Sequence, residues 1–285
     1  MAGAGLISIK RRIKSITNTR KITRAMNVVA TSKLRKCRNK LDLHSTYYNS
    51  LLEIMSKVVS SEENNIYVAG NKSEAKLYIV LTSDSGLCGG FNGEAVSTTV
   101  SEIQTDKNNN FLIIVGQKGR ASLRRYGLET VAEYVDIPDV PTSKEATILC
   151  SDILKMFNEG KVGEVNIIYH KFISTIKREI TVKTILPLGN ELKSDEINAV
   201  DKFYFEPSAN SIFEGTLKSY LTQTILNCMI NSKCSEQSSR SEAMSSATSN
   251  ANDLLDKLTL KYNRIRQSII TQEISEIVGG AEAQK

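Results

Sequence analysis

From Thr216 to Val278 the sequence contains no Gly and no Pro, the residues that most often end or kink a helix. Read as one α-helix, this run is about 95 Å long at a rise of about 1.5 Å per residue, too long for a domain of this size to bury throughout. Its apolar residues recur in alternating steps of three and four, which is typical of a coiled-coil seam. They are Met244, Ala247, Ala251, Leu254, Leu258, Ile265 and Ile269. Such a seam predicts a partner helix.

A second run without Gly or Pro extends from Leu6 to Ala69 and carries the same spacing. Its seam residues are Leu34, Cys37, Leu41, His44, Tyr48, Leu51, Met55 and Val58. The same spacing begins upstream at Leu6, Ile9, Ile13 and Ile16. Its positions become polar at Arg20, Thr23 and Asn27, where we expect a local change of partner. The two runs together predict a long antiparallel coiled coil between the chain termini, with helices over 1–65 and 208–285. Asn210 or Ser211 is expected to cap the second helix.

The residues between the two runs change to a pattern of strands and helices. Short apolar runs rich in β-forming residues predict strands at 77–81, 111–115, 165–169 and 179–186. The segments between the first three strands predict helices at 94–105, 118–126 and 143–158. Strands that alternate with helices are typical of a parallel sheet covered on both faces. We therefore predict a Rossmann-like α/β domain over 75–190.

The glycine-rich turn Ser85–Asn92 follows the first predicted strand, where a dinucleotide-binding fold places its phosphate loop. Its spacing matches neither the dinucleotide fingerprint nor the phosphate loop of nucleoside triphosphatases, so we interpret it as a tight structural turn. His44 and Cys88 are interpreted as packed side chains, and His170 has no ligand pair at metal-binding spacing. The sequence thus predicts no catalytic residue, cofactor or metal. A nucleotide-dependent enzyme is an alternative for the middle domain alone.

The charge of the chain is strongly segregated. The formal net charge is +6, yet residues 10–40 contain twelve Lys or Arg and no Asp or Glu. This basic block predicts an acidic partner, and charge alone leaves nucleic acid and protein equally open. The block contains no aromatic residue, which disfavours stacking on single-stranded bases. Five dispersed cysteines fit neither a metal site nor a disulfide framework, so we expect a reducing cytoplasm.

Three sets of residues, in order along the chain, carry a family resemblance. The first is Ile22–Met26 with Val29, Ala30 and Ser32–Leu34, and the second is the glycine turn Gly86–Asn92. The third comprises Ser239, Arg240, Ala243, Met244, Ala247–Asn250, Tyr262–Gln267, Ile270–Ile274 and Glu276–Ala281. Together they extend over essentially the full chain, and they resemble the motifs of the γ subunit family of F-type ATP synthases.

The resemblance implies a central-stalk rotor subunit with no catalytic activity of its own. In that family the terminal helices form a coiled coil inside a hexamer of three α and three β subunits. The sheet domain lies beside the ε subunit and on the membrane ring of c subunits, and rotation couples ion translocation to ATP synthesis or hydrolysis. The resemblance therefore implies a peripheral protein on the cytoplasmic face of the cell membrane, attached only through the complex. No nucleic acid is expected; the alternative is a basic coiled-coil nucleic-acid-binding protein.

The resemblance also implies specific partner contacts. Those expected with the hexamer of α and β subunits are Arg24, Met26, Arg266, Gln267, Ile269, Ile274, Ile277 and Val278. Those expected with the c ring and the ε subunit are Phe203, Tyr204, Phe205 and Glu206. The small and polar residues of Ser235–Asn252 are expected to let a partner surface slide past without locking.

Overall fold

The computed structural model describes residues 2–105, 110–192, 205–206 and 208–282, with side chains at all but a few of these positions. In chain order the elements are α1 (Ala2–Val59), α2 (Ile66–Ala69), β1 (Lys76–Leu81), α3 (Phe91–Thr105), β2 (Phe111–Val115), α4 (Gln117–Arg125), β3 (Ala132–Tyr134), α5 (Ser143–Asn158), β4 (Glu164–Phe172), β5 (Arg178–Leu186), α6 (Gly189–Leu192) and α7 (Ala209–Glu282). The two predicted terminal helices are therefore confirmed as single helices of 58 and 74 residues.

The chain forms two compact units. The terminal unit comprises the described residues of Met1–Ala30 and Ser241–Lys285, and the sheet unit comprises those of Thr31–Arg240. Both long helices contribute to both units. Helix α1 ends at Val59, before the predicted position 65, because the chain turns there and enters the single turn of α2. The predicted division into three segments at 65–75 and 190–208 stays a prediction.

The sheet unit is built on five strands in the order β3-β2-β1-β4-β5. The first four strands are parallel, and β5 pairs antiparallel with β4. The antiparallel pairing follows from the short connection between β4 and β5, since a parallel pair needs a long crossover. All four predicted strands and all three predicted helices are confirmed, with end positions that differ by a few residues. Strand β3 was not predicted, because its three residues at the sheet edge are only half-buried and carry no apolar run.

Alternating residues of the strands enter two separate cores, as the two-residue period of a strand requires. On one face Tyr78, Val80 and Ile114 pack against α3 and α4. On the other face Leu77, Ile79 and Ile113 pack in a larger core that includes α5 and the sheet-unit parts of α1 and α7. The expected cover of helices on both faces is therefore confirmed, and the long helices supply much of one layer.

The predicted seam of α1 is the buried face of that helix. Leu34, Cys37, Met55 and Val58 are all less than 9% exposed in the sheet unit. On α7 the predicted Met244 and Ala251 are each 5% exposed, and Leu258, Ile265 and Ile269 are half-buried, so most of the predicted seam is the less exposed face. One position differs, since Leu255 is 8% exposed whereas the predicted Leu254 is 46% exposed. The step of four after Ala251 therefore comes before the step of three, the reverse of the predicted order.

The N-terminal cap of α7 also differs from the prediction. Ser208 accepts a hydrogen bond at its Oγ from the backbone N–H of Ser211, at 3.2 Å. Asn210 is already inside the helix, where its side chain donates to Glu214 at 3.4 Å. The prediction of Asn210 or Ser211 as the cap is therefore wrong, because the helix begins at Ala209 and Ser208 is the residue before it.

Candidate functional site

The helical pair of the terminal unit is joined by polar contacts. The hydroxyl oxygens of Thr23 and Thr248 are 2.8 Å apart, and Arg20 donates from Nη1 to Oδ1 of Asn252 at 3.2 Å. Ser241 donates from Oγ to Oδ1 of Asn27 at 2.7 Å. The expected change of partner at these positions is therefore wrong. The polar residues of α1 stay in the seam and face α7, where each is matched by a hydrogen-bonding side chain.

A basic groove lies beside these contacts and is open to solvent. It has a volume of about 620 Å³ and is lined by Arg20, Lys21, Arg24, Asn27, Ser245, Thr248, Ser249 and Asn252. Three cations come from α1, whereas α7 contributes only small hydroxyl and amide side chains. The groove therefore offers positive charge and hydrogen-bonding side chains to a partner.

The end of α7 runs past the start of α1. Because Thr23 pairs with Thr248 and Arg20 with Asn252, each step toward the start of α1 is a step toward the end of α7. On this register the first residues of α1 lie opposite Ile270 of α7. Beyond that level, positions 271–281 of α7 are all exposed. Ile274, Ile277 and Val278 are 56%, 72% and 55% exposed. The helix thus carries apolar side chains on an end that has no pairing helix among the described residues.

The residues that are expected to contact the hexamer all lie in the terminal unit. Arg24, Arg266 and Gln267 are exposed, and Met26 and Ile269 are half-buried. Of the expected contacts with the c ring and ε subunit, Phe203 and Tyr204 lie outside the described residues. Phe205 is half-buried and packs against the larger core of the sheet unit, and Glu206 is exposed.

The sheet unit contains a buried polar junction centred on Arg240 of α7. The guanidinium donates to the backbone oxygen of Ser85 at 3.0 Å, to its hydroxyl at 2.8 Å and to the backbone oxygen of Gly86 at 3.3 Å. It also forms an ion pair with Glu236, one turn earlier, at 2.9 Å. Lys233 lies 3.2 Å from the same carboxylate. Glu236 is 3% exposed and Arg240 is 7% exposed, so the junction is a desolvated network that fixes α7 to the glycine turn.

The glycine turn presents its carbonyl oxygens to α7. Besides the contacts of Arg240, the hydroxyl of Ser239 donates to the backbone oxygen of Cys88 at 2.6 Å. Leu87 and Gly89 adopt the left-handed conformation, with φ of 63° and 56°, in the tight turn that contains these carbonyl groups. A phosphate-binding turn instead aims its N–H groups at the ligand. The turn is therefore arranged to accept a cationic side chain of the same chain, which agrees with its interpretation as structural.

Helix α7 also covers the crevice at the carboxyl ends of β1 and β4, where open α/β sheets bind their ligands. Ser235 donates to the backbone oxygen of His170 at 3.1 Å, and the N–H of Phe172 donates to Asn231 at 3.2 Å. The nearby cavity over β1 and β2, lined in part by Lys233 and Glu236, measures about 10 Å³, room for one water. A nucleotide does not fit there unless α7 moves away.

The small polar residues at the start of Ser235–Asn252 have a different role from the one predicted. Ser235, Ser238 and Ser239 are buried against carbonyl groups of their own unit. The expectation of a sliding surface is therefore wrong for residues 235–240, because the surface that passes close to them is the chain's own sheet. It stays a prediction for 241–252, which lie in the terminal unit.

Both histidines are packed in the sheet unit. His44 contacts Gln223 at 3.0 Å and stacks on Tyr48, and burial lowers the pKa of its imidazole. His170 stacks on Phe91 and contacts Glu94 at 3.2 Å, and burial likewise lowers its pKa despite the nearby carboxylate. Across the described ranges no group of three or more His, Cys, Asp or Glu could hold a metal ion.

Sequence reasoning did not find the polar junction. Both of its halves were recognised separately, the glycine turn and Ser239–Arg240, but nothing local links them. The one available signal is the opposite charge of Glu236 and Arg240 at a spacing of four within a Ser-rich stretch.

Known proteins of the same family match the chain over its whole length. The ATP synthase family model matches residues 5–284. The chain is 53% identical to the ATP synthase gamma chain of Clostridium novyi and 51% identical to that of Clostridium botulinum strain Kyoto, in both cases over 100% of each chain. A chain of the Euglena gracilis mitochondrial ATP synthase has the same fold, with a TM-score of 0.70 at 18% identity over 99% of this chain and 95% of that one. The central stalk of the Tetrahymena thermophila enzyme gives a TM-score of 0.64 at 22% identity, over 79% of this chain and 99% of that one. The family model and the 51–53% identical relatives match the chain over its whole length, and the helical pair and the mostly parallel sheet agree with the similar solved structures. The chain therefore belongs to the ATP synthase gamma chain family.

Proposed function

We propose that this chain is the rotor shaft of an F-type ATP synthase. It would turn inside a hexamer of three α and three β subunits and couple ion flow through a membrane ring to ATP synthesis or hydrolysis. The relatives at 51–53% identity are named ATP synthase gamma chains, and the similar solved structures are parts of ATP synthase rotors and central stalks. The observation that carries the proposal is the exposed apolar end of α7, since a surface of this kind needs a surrounding partner.

The apolar end of α7 is proposed to turn in a bearing formed by the top of the hexamer. Ile274, Ile277 and Val278 lie on a helix end that is exposed around its whole circumference. Apolar contact has no preferred direction, so a surrounding apolar surface can hold the helix at many rotary angles with similar free energy. A directional hydrogen-bonded socket would favour one angle and resist turning.

Arg266 and Gln267 are proposed to contact a loop of one β subunit at a time. Both side chains are exposed, whereas the neighbouring Ile269 is half-buried toward the seam. An arginine and an amide can form several hydrogen bonds with a loop and then release them to water. The contact can therefore distinguish one β subunit from the other two without holding it permanently.

Arg24, Met26 and the basic groove are proposed to face acidic loops of the β subunits lower on the shaft. The groove is wide, solvent-exposed and rich in cations. Exposed ion pairs in water are weak and screened by salt, so they can break and form again as the shaft turns. Residues 241–252, with their small side chains, would leave room for a partner surface at the same level.

The residues before α7 are proposed to contact the c ring and the ε subunit. Glu206 is exposed and free to reach a partner surface, while Phe205 already packs on the core and would support the segment from within. None of the described helices contains an apolar stretch that could span a bilayer. We place the chain on the cytoplasmic face of the cell membrane, attached only through the complex.

The proposed role is mechanical and not catalytic. The crevice that would hold a nucleotide is covered by α7, and the glycine turn accepts Arg240 in place of a phosphate. ATP chemistry would then belong to the α and β subunits. The alternative of a nucleic-acid-binding coiled coil accounts for the basic groove but not for the sheet unit, and the full-length relatives give it no support.

Rotation can be observed directly in a complex of this chain with α and β subunits. Ile176 is 85% exposed on the β4–β5 loop, so Ile176→Cys gives a site for a visible probe. We expect one copy of the chain per complex and ATP-driven rotation with three pauses per turn, one for each β subunit. A probe that stays still while the complex hydrolyses ATP would contradict the proposal.

The contact of Arg266 and Gln267 can be tested in the same complex. Replacing both by Ala should slow ATP turnover several-fold without dissociating the complex, because the contact acts during rotation and not in assembly. The matched control is Lys257→Ala with Lys261→Ala on the same exposed part of α7. Unchanged turnover in the Arg266 and Gln267 variant would remove this contact from the proposal.

A further inference from the structure

Two cysteines face each other across the helical pair of the sheet unit. Thr216 of α7 contacts the sulfur of Met55 of α1 at 3.2 Å, which fixes the pairing of the two helices at that level. Cys37 precedes Met55 and Cys234 follows Thr216 by the same number of residues, about five helical turns. Antiparallel helices therefore bring Cys37 and Cys234 to the same level and onto the same buried faces.

The two thiols lie at the same level of the helical pair and are shielded from water. Both residues are 0% exposed and belong to the larger core of the sheet unit. Cys37 donates to the backbone oxygen of Asp139 at 3.0 Å, which holds its sulfur in place. The two side chains are close enough for each thiol to shift the pKa of the other.

The interaction of the two side chains makes the two thiols unequal. It lowers the pKa of Cys37, because Cys234 stabilises the Cys37 thiolate, and it raises the pKa of Cys234, an effect to which burial adds. The thiolate is the nucleophile in thiol oxidation, so Cys37 would react first and Cys234 second. This is the arrangement of an attacking and a resolving cysteine.

We propose that Cys37 and Cys234 are an oxidant-sensitive pair that forms a reversible disulfide between α1 and α7. With a small diazene oxidant such as diamide, the Cys37 sulfur adds to one nitrogen of the N=N bond. The Cys234 sulfur then attacks Cys37 and displaces the nitrogen. Two S–H bonds and one N=N double bond are lost, while one S–S bond and two N–H bonds form, so the oxidant leaves as the hydrazine. A dithiol reductant reverses the link by disulfide exchange.

The disulfide would tie together two helices whose cysteines are roughly 200 residues apart in the chain. A cross-link that closes so long a loop strongly restricts the unfolded chain. The two cysteines already lie at the same level in the reduced protein, so the link needs no shift of one helix along the other. Oxidation would therefore stabilise the pair in its present register.

The test uses the full-length chain and diamide at a temperature just below the thermal transition, where local opening admits the oxidant. After alkylation of remaining thiols, mass spectrometry of the proteolysed chain locates the disulfide. We expect the free thiol count to fall from five to three and a peptide pair joined through Cys37 and Cys234. The thermal midpoint should rise by about 5–10 °C and return after dithiothreitol. A different cysteine pair, a cross-link between two chains, or five free thiols would overturn the proposal.

Two variants and a matched control make the assignment specific. Cys37→Ser keeps a hydroxyl that can donate to Asp139, and Cys234→Ser alters the other partner; both should abolish the rise in thermal midpoint. Cys150→Ser is the control, since Cys150 is equally buried but its thiol donates to the backbone oxygen of Lys218 at 4.0 Å. It should form the same disulfide as the unchanged chain. If one serine variant does not fold, the other and the peptide mapping still decide the result, and a rise that survives in either serine variant would overturn the proposal.

Discussion

The same two helices pair in both units, but by different chemistry. In the terminal unit the contacts between α1 and α7 include hydrogen bonds among Thr, Arg, Asn and Ser side chains, beside a narrow apolar row that contains Met244, Ala251 and Leu255. In the sheet unit the facing residues are apolar, as at Leu51 and Tyr220, and a sheet covers them. Among the polar groups that the sheet unit buries, Arg240 donates to the glycine turn and to the carboxylate of Glu236. One pair of helices thus joins an exposed, polar part to a buried, anchored part.

The contrast indicates where stability and function reside. Apolar burial contributes about 25 cal/mol per Å², so the sheet unit holds most of the free energy of folding. The terminal unit gains little from its exposed contacts and keeps its surface available for partners. We expect substitutions to reduce stability strongly in the sheet unit and weakly in the terminal unit, where they should act on turnover.

The largest effect is expected from Arg240→Ala. The substitution leaves the carboxylate of Glu236 buried and the carbonyl groups of the glycine turn without their donor, which should cost about 3–5 kcal/mol. The matched control is Arg24→Ala, an exposed arginine of the terminal unit, with an expected change within about 0.5 kcal/mol. Urea unfolding followed by far-UV circular dichroism measures both, since the chain has no Trp to report by fluorescence. Equal losses in the two variants would break the comparison.

A second pair of variants compares methionines on the same helix. Met55 is 0% exposed in the core of the sheet unit, and Met55→Ala should cost about 2–5 kcal/mol through the cavity it leaves. Met26 of the terminal unit is half-buried, and Met26→Ala should cost less than half as much. The same unfolding experiment decides the point. A larger loss at Met26 would show that the terminal unit is better packed than its exposure indicates.

Acid is expected to weaken only the sheet unit, because both histidines of the chain lie there. Burial lowers the pKa of His44 and of His170, so the unfolded chain binds these protons at a higher pH than the folded chain. The free energy of unfolding should therefore be at its full value above pH about 6.5, the ordinary pKa of histidine. It should fall as the pH drops from there toward the lowered values of the folded state.

Urea unfolding between neutral and mildly acidic pH measures this slope. His44→Gln should reduce the slope and can keep the contact with Gln223. Amide hydrogen exchange in the terminal unit, corrected for the intrinsic effect of pH, should not change over the same range. A slope that His44→Gln leaves unaltered would remove His44 as its source.

The smallest effect is expected from the threonine pair of the terminal seam. Each hydroxyl has an alternative acceptor on its own helix, Arg20 O for Thr23 at 3.1 Å and Met244 O for Thr248 at 2.8 Å, so the proton of either residue can leave the contact between the helices. A double-mutant cycle with Thr23→Val and Thr248→Val should therefore give a coupling of about 0.5–1 kcal/mol. A coupling of several kcal/mol would mean that this polar contact anchors the terminal unit.

Local patterns predicted most of the elements of this fold. The two runs without Gly or Pro determined both long helices, and the three-four spacing identified the buried face of α1. The four apolar runs determined β1, β2, β4 and β5. The errors occurred where the signal was weakest: the short edge strand β3, the cap at Ser208, and the seam position Leu255 in place of Leu254.

The sequence by itself determined the length of the helices, the period of their seams and the alternation of strands with helices. Each of these properties depends on residues a few positions apart, so a local pattern records it. Only the tertiary structure decided that α7 fills the crevice of the sheet and that Arg240 meets a turn 155 positions away. The same holds for the polar partners of Arg20, Thr23 and Asn27. Such pairings depend on which surfaces meet when the whole chain packs, and no local spacing carries that information.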